Sequence, residues 1–490
     1  MGLEKIRGAI TAAVPDALVV DLDHSLVRTD TLFEQFAGLV FRSPVTALLL
    51  LVSLIRGRAR FKAQLAELHP LDASALPYHE LLLAFLREQK AKGRTLHLVT
   101  ASDRSTAEAV ARHCGLFDTV EGSDGASNLK GARKAEHLVR RFPEGFAYAG
   151  DSRADLKVWN QAESIVLAGA SPAVANRARK LGKMLEAEFE GAVAGLQTWR
   201  RALRVHQWAK NLLVFVPLLL SQKYLEPRAV GLSILAFVAL SLVAAATYLI
   251  NDLSDLAADR RHPTKRRRPL AAGDLRIEHA LAAVPLLFLV GGGLAAAVSP
   301  SLLLGLLAYV VLTLGYTFYL KRQALLDVVT LGVLYALRLM IGAATIGVEH
   351  SVWLLTFSLF FFFSMSLAKR YAEIANLLST GPDQDLKGRG YRTGDASTVL
   401  ALGVSSSTAS VLIVVLYLME DAFPSNIYAQ SYWLWTVPFV LTVWAARIWL
   451  IAGRGELDED PVAFAIKDRF SLGLAAPLAA AFALATIRWP

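Results

Sequence analysis

The sequence has little of what a disulfide-stapled or thiolate-metal protein needs. It holds one cysteine, Cys114, in 490 residues, which excludes a disulfide framework and a cysteine-based zinc site. Charge is also scarce. Asp, Glu, Lys and Arg make up 19% of the chain and hydrophobic residues 54%, whereas ordinary globular chains carry about 25% charged residues. That balance excludes a disordered or collagenous chain and points to a membrane protein. The N-terminal stretch MGLEKIRGAITAAVPDALVV lacks a long apolar core ahead of a small-residue cleavage site, so no signal peptide is expected. The length exceeds that of one compact domain and suggests two or three. The net charge of +9 alone would allow a nucleic-acid partner. However, the basic residues lie clumped between apolar stretches, the pattern of a multi-span membrane protein, and no nucleic-acid binding is expected.

Apolar runs long enough to cross a bilayer occur only after about residue 200. Nine are expected, near 205–222, 229–250, 277–298, 301–320, 325–347, 350–368, 395–419, 432–452 and 470–488. Lys210 and Asn211 interrupt the first. The loops 251–276, 321–324, 369–394 and 453–469 together carry 17 Lys and Arg, against Lys223 and Arg228 on the other side. The positive-inside rule therefore places these loops and the N-terminal domain in the cytoplasm of an inner (plasma) membrane protein, with the C-terminus outside.

The first part, about 1–195, reads as a soluble α/β domain with a helical insertion near 31–95; residues 196–490 read as an all-α membrane domain. Short buried-strand runs at 17–20, 96–99 and 146–149 each end at a polar residue, Asp21, Thr100 and Gly150-Asp151. Helical stretches at 104–114 and 131–142 lie between them. Such alternation predicts an open parallel sheet with its site at the strand C-termini. The apolar stretch 45–55, followed by RGRARFK, is too short to span comfortably and predicts a hairpin insertion or a helix on the membrane surface.

Asp21 and Asp23, one residue apart after a strand, can point into one pocket. Phosphoryl transfer through an aspartyl-phosphate needs such a pair, one carboxylate to attack and one to protonate the leaving oxygen. Thr100 and Lys130 would hold the transferring phosphate, and Asp151 with Asp155 would complete a Mg²⁺ site. Over roughly residues 15–175 this order of motifs resembles the haloacid dehalogenase (HAD) superfamily. The resemblance implies that Asp21 is the nucleophile and Asp23 the general acid/base, with Thr100 and Lys130 binding phosphate and Asp21, Asp23, Asp151 and Asp155 around the metal. Ser25 stands where that family usually has threonine, and Lys134 competes with Lys130 for the lysine role.

The segment NDLSDLAADRRHPTKRRRPLAAG, 251–273, follows the second apolar run. Asn251, Asp255 and Asp259 are spaced by four, so a helix lines them on one face, with Asp252 adjacent. Acids at a membrane mouth are costly unless they bind something, and Mg²⁺ with a diphosphate is the natural occupant. This segment resembles the first aspartate motif of the UbiA superfamily of intramembrane prenyltransferases, a resemblance extending over about 200–490 with Tyr316, Lys321-Arg322, Asp327 and Arg338. A second aspartate-rich motif is missing; only Asp327 stands there. In its place the chain has Lys369-Arg370-Tyr371-Ala372-Glu373, His206-Gln207-Trp208-Ala209-Lys210 before the first run, and GELDEDPVAFAIKDR at 455–469. These resemble one subgroup, the decaprenyl-phosphate phosphoribosyltransferases.

The resemblance implies a bifunctional Mg²⁺-dependent enzyme. The membrane domain would transfer 5-phosphoribose from 5-phosphoribose-1-diphosphate to polyprenyl (decaprenyl) phosphate, and the HAD domain would remove the 5-phosphate. Asp255 and Asp259, with Asn251 and Asp252, would hold Mg²⁺. Lys210, Arg260, Lys265, Arg268, Tyr316, Lys321, Arg338, Lys369, Arg370, Tyr371 and Glu373 would bind substrates among the membrane lipids. An aromatic or quinone-type prenyltransferase is the alternative within the superfamily. A non-enzymatic transporter fits less well, because the charges sit in the loops and not at mid-membrane.

Overall fold

The computed structural model describes residues 14–124, 129–191, 194–379, 381, 384–386, 388–424, 428–457, 464–465 and 467–486. The chain divides into two compact units, Met1–Leu203 with Tyr248–Ala283, and Arg204–Thr247 with Val284–Pro490. The acid-bearing segment expected within the membrane domain thus folds with the N-terminal unit.

In that unit six strands form one parallel sheet. They are β1 Ala17–Val20, β2 Thr95–Asp103, β3 Thr119–Ser123, β4 Ala147–Gly150, β5 Ser164–Ala168 and β6 Met184–Phe189, in the order β3-β2-β1-β4-β5-β6. All four residues of β1 and of β4 are buried, as expected of strands covered on both faces. The alternation of β1 shows how. Leu18 and Val20 pack with Leu82, Leu86 and Val110 on one face, while Ala17 and Val19 pack with Leu138, Val158 and Trp159 on the other.

The helices are α1 Thr31–Arg42, α2 Pro44–Leu51, α3 Arg58–Leu68, α4 Glu80–Ala91, α5 Arg104–Cys114, α6 Ala132–Arg141, α7 Leu156–Trp159 and α8 Pro172–Arg179. Local chemistry sets their ends. Asp30 caps α1 by accepting from the Leu32 amide at 2.9 Å, and Asp103 caps α5 in the same manner. Gly115 ends α5 at φ 64°, a left-handed conformation that favours glycine. The strand order reverses beside β1, whose neighbours are β2 and β4. In an open parallel sheet that switch point is where a ligand crevice forms.

Among the described residues, eight helices are long and apolar enough to cross a membrane: Pro227–Ser254, Ile277–Val298, Pro300–Phe318, Leu326–Thr345, Val352–Leu378, Thr393–Ala422, Ser431–Gly453 and Arg469–Thr486. The ninth, expected at 205–222, is instead a 3₁₀ segment, Val205–Phe215, running into a five-residue α-helix, Val216–Leu220. Pro217 lacks the amide that a continuous α-helix would use there. Asn211 is turned inward, donating to Ser241 Oγ and accepting from Arg338 Nε, both at 3.0 Å. Gly342 admits this segment, since a Cβ there would lie 2.2 Å from the Val214 carbonyl oxygen. Within the 455–469 motif, residues 458–463 and 466 lie outside the described residues, as do 487–488 of the last expected span.

Candidate active sites

The C-termini of β1 and β4 bring three acids together. Ligand atoms of Asp21, Asp151 and Asp155 all lie within 4.8 Å of one another. Lys134, on α6, donates from Nζ to Asp21 Oδ1 at 2.9 Å and to the Tyr148 hydroxyl at 2.6 Å; that hydroxyl donates to Asp155 Oδ1 at 2.9 Å. The other Asp155 oxygen accepts from the Ser152 amide and hydroxyl at 2.9 and 2.6 Å. Burial pushes Asp21 up to about 6 despite the pull of Lys134. Burial and the neighbouring Asp155 and Asp21 hold Asp151 well above the usual carboxylate range. Three crowded acids with one ammonium leave negative charge that a small hard cation would balance, and all the donors are oxygens of the kind Mg²⁺ takes.

The structure separates the two candidate lysines and places Asp23 apart from the three acids. Lys134, buried at 2% exposure, bonds Asp21, whereas Lys130 is exposed. The reason is that Lys134 sits in the first turn of α6, which packs on the sheet, and Lys130 precedes the helix. Asp23 does not join the three acids by its side chain. It accepts from the Thr31 amide and hydroxyl, both at 2.8 Å, and from the Ser102 hydroxyl. Thr100 is fully buried, its hydroxyl accepting from the Ser102 amide at 3.1 Å. Sequence reading missed Tyr148, Ser102 and Lys62. Lys62 belongs to α3 of the insertion, donates to the Ala101 carbonyl at 2.6 Å and interacts electrostatically with Asp23, Asp30 and Asp21. No linear motif marks it.

The acid-rich segment of the same unit is a helix broken at Asp255: Pro227–Ser254 ends there and Leu256–Arg261 begins. Asp252 and Asp259, both buried, converge on Arg268, whose Nη1 donates to them at 3.1 and 2.6 Å. Burial raises Asp259 even against Arg268. Among the described residues Asn251, Asp252, Asp255 and Asp259 do not form a compact acidic cluster like that around Asp21. Asn251, Asp255 and Asp259 stay one turn apart, the Asp255 amide donating to the Asn251 carbonyl at 3.0 Å and the Asp259 amide to that of Asp255 at 2.8 Å, while Asp252 and Asp259 meet across one guanidinium. Arg260, expected to bind substrate, is committed elsewhere, forming a bidentate buried pair with Glu34 at 2.5 and 3.0 Å. Arg28 pairs with Asp274 at 3.0 Å, Arg276 lies 3.8 Å from Asp151, and Arg261 pairs with Asp72. Lys265 is exposed.

In the membrane unit Asp327 is fully buried. Arg370 Nε donates to it at 2.7 Å and the Tyr391 hydroxyl at 2.7 Å, while Arg370 Nη1 donates to Glu373 at 2.6 Å. Arg338 is buried too, donating to Asn211 and lying over the Tyr309 and Tyr335 rings. Tyr316 accepts from Arg389 at 2.7 Å, and Tyr371 packs near Trp449. Arg338 and Arg370, expected on substrate, link neighbouring helices through Asn211, Tyr309 and Asp327. Lys210, Lys321 and Lys369 are half-buried. Removing one partner of a buried pair typically costs about 3–5 kcal/mol. Asp327→Asn should therefore lower the thermal midpoint of the purified protein, and adding Arg370→Met should cost less than the sum of the two single changes. Additive losses would show that the pair is not coupled.

The family model described as the UbiA prenyltransferase family matches residues 212–472. An uncharacterized protein, y4nM, of Sinorhizobium fredii is 39% identical over 96% of this chain and 90% of its own length, so the similarity spans both parts. The nodulation protein NoeC of Azorhizobium caulinodans is 32% identical over 56% of this chain and 89% of its own. A decaprenyl-phosphate phosphoribosyltransferase of Mycobacterium tuberculosis is 31% identical over 55% of this chain and 87% of its own. With eight membrane-length helices and a family match over more than half its length, the chain is a multi-pass membrane enzyme that belongs to the UbiA prenyltransferase family.

Proposed function

We propose that this enzyme transfers 5-phosphoribose from 5-phosphoribose-1-diphosphate to polyprenyl phosphate and then removes the 5-phosphate, leaving polyprenyl-phosphoryl-ribose. The observation that carries the joint reading is the packing of the acid-bearing segment Tyr248–Ala283 into one compact unit with the parallel-sheet domain. The Arg260–Glu34, Arg28–Asp274 and Arg276–Asp151 pairs fix it there. The name of the mycobacterial relative supports the choice of transferase. The state of Asp327 supports it as well: this acid is paired with Arg370 and hydrogen-bonded by Tyr391 and stands without further acids of a second aspartate-rich motif for a prenyl diphosphate.

In the transfer step an oxygen of the lipid phosphate attacks C1 of the sugar, the bond from C1 to the diphosphate breaks, and pyrophosphate leaves. Asp252, Asp255 and Asp259 would hold magnesium, which supplies charge neutralisation to the diphosphate. Lys265 and Arg268 lie in the same segment to meet phosphate oxygens.

The phosphatase step, in a HAD-like site, starts at Asp21. The Leu22 amide and Lys134 both donate to its Oδ1, at 2.9 Å each, which leaves Oδ2 to attack the 5-phosphate. The bond from phosphorus to the sugar oxygen breaks, and Asp23, oriented by Thr31 and Ser102, gives that oxygen a proton. Water then attacks the aspartyl-phosphate and returns a proton to Asp23, releasing inorganic phosphate. Asp21, Asp151 and Asp155 would hold the magnesium that screens the phosphate charge there.

Membrane topology fits this order. Sharing one compact unit, the sheet domain and the basic 251–276 loop lie on one side, the cytoplasmic one by loop charge. With Pro227–Ser254 crossing into that loop, this topology assigns an earlier crossing to the shorter apolar segment Val205–Leu220. Eleven residues of 3₁₀ helix and five of α-helix reach about 30 Å at their usual rises of about 2.0 and 1.5 Å per residue, enough for the hydrocarbon core.

The test is mass spectrometry of lipid products from purified protein given 5-phosphoribose-1-diphosphate and polyprenyl phosphate. Polyprenyl-phosphoryl-ribose and pyrophosphate are expected. Turnover only with a prenyl diphosphate and an aromatic acceptor would replace this reading with the aromatic prenyltransferase one.

A further inference from the structure

The insertion between β1 and β2 carries a surface that neither proposed reaction uses. Among the described side chains of helix α2 and the 3₁₀ turn Val52–Arg56 after it, only Ala47 and Leu50 are buried, and they pack against Leu39, Phe61 and Leu65. The opposite side is apolar and open: Val45 is 70% exposed, Leu49 66% and Ile55 87%, and Leu48, Val52 and Leu54 are exposed beside them. At usual helical rises the thirteen residues of these two elements reach about 22 Å, short of a roughly 30 Å hydrocarbon core. Charge around the patch has one sign. Between Glu34 and Glu67 there is no acid, while Arg42, Arg56, Arg58, Arg60 and Lys62 all fall in that stretch. Arg42, Arg58 and Arg60 are exposed.

We infer that the α2–α3 insertion seats in the interfacial layer of an anionic bilayer, its Val45–Ile55 side among the acyl chains and Arg58 and Arg60 on headgroup phosphates. An exposed apolar face with arginines at its edge is the composition of an interfacial helix, and a multi-pass chain keeps a bilayer always within reach. Helix α3 then links the membrane to the aspartates, because Arg58 and Arg60 at its start are followed by Lys62, which reaches the Ala101 carbonyl beside Asp23 and Asp21. A phosphate entering between Lys62 and Asp21 would therefore come from a headgroup at the membrane surface. This deepens the phosphatase reading and rests on it for the identity of the substrate, a lipid-linked sugar phosphate.

The seating itself is tested without catalysis. The single native cysteine allows a Cys114→Ser background. On it, Ile55→Cys and, as a control on an exposed face of α4, Glu88→Cys are labelled with an environment-sensitive fluorophore in full-length protein. The samples are placed in nanodiscs of phosphatidylglycerol and phosphatidylcholine with doxyl-labelled lipids. Blue-shifted, quenched emission at position 55 and not at 88 is expected; equal emission at both positions overturns the seating. For the link to substrate, the Leu49→Asp/Ile55→Asp double variant should hydrolyse the lipid-linked 5-phosphoribose at least about tenfold more slowly, because the site, though still tethered to the membrane, is no longer positioned against the headgroup layer. Its hydrolysis of soluble p-nitrophenyl phosphate should be unchanged. Equal loss on both substrates overturns the link. Wild-type protein that hydrolyses neither substrate would sink the phosphatase reading, and the fluorescence result would still decide the seating.

Discussion

Asp21→Asn should stop dephosphorylation, by at least about 10³-fold, while sugar transfer continues and the 5-phosphorylated lipid accumulates. Asparagine keeps the shape of the side chain and its bond from the Leu22 amide but removes the nucleophilic oxygen pair. It also removes the negative charge that pairs with Lys134, 2% exposed, leaving that ammonium with neutral acceptors in place of a carboxylate, so thermal stability should fall. Stability thus needs its own control. Tyr148→Phe removes the hydroxyl that links Lys134 to Asp155 and should lower stability while retaining more hydrolysis than Asp21→Asn. Liquid chromatography with mass spectrometry of the lipid pool separates the two phosphorylation states directly. If Asp21→Asn yields only dephosphorylated product, another enzyme performs that step and this sheet domain does not.

How much of this was legible in the sequence depends on the length scale of the cause. Strands β1 and β4 are buried throughout and β2 over Leu96–Thr100, so their apolar runs stand out, although β2 continues past the expected end at Thr100 to Asp103; α5 and α6 form close to the expected 104–114 and 131–142. Asp21 and Asp151 converge because they follow the adjacent central strands β1 and β4 at their C-terminal ends, and Asp155 joins them from the turn after β4. Lys134 was legible only as a rival to Lys130. Both precede or open the same helix, and choosing between them needs the rotation of α6 on the sheet. Strand β6 gave no such signal: its burial pattern alternates exposed with half-buried residues at the sheet edge.

The partners of the charged residues after about residue 200 were the least legible. Arg260, Arg338 and Arg370 read as substrate ligands because a cation in or beside an apolar segment normally demands a reason. The reason proved internal: Glu34, Asn211 and Asp327 lie 226, 127 and 43 residues away in sequence from the arginines they meet. The break in the 205–220 segment was partly visible in Lys210-Asn211 and Pro217. That Asn211 turns inward to Ser241 and Arg338, and that Gly342 clears space for it, was not.

Asp259→Asn should reduce sugar transfer by at least about 10²-fold, the usual effect of losing a principal group at such a metal site, while the membrane unit stays folded. The argument is electrostatic. Asp252 and Asp259 are both buried and share Arg268 between them, and burial holds Asp259 above its ordinary range even so. Two buried acids facing one guanidinium form a place where more positive charge is favoured, which a Mg²⁺ ion accompanying the diphosphate would bring. A purely structural role predicts something else. If Asp252, Asp259 and Arg268 only pinned the helix break at Asp255, replacing Arg268 with methionine would lower stability about as much as Asp259→Asn, and neither variant would respond to added metal. In the metal-binding role Arg268→Met retains both acids, so its transfer rate should recover as Mg²⁺ is raised, whereas that of Asp259→Asn should not. Transfer rate titrated against Mg²⁺, with the thermal midpoint read on the same samples, separates the two. Recovery of Asp259→Asn at high Mg²⁺ to the wild-type maximum would show that this carboxylate tunes affinity only, and transfer near normal without added metal would remove the acids of this segment from the reaction.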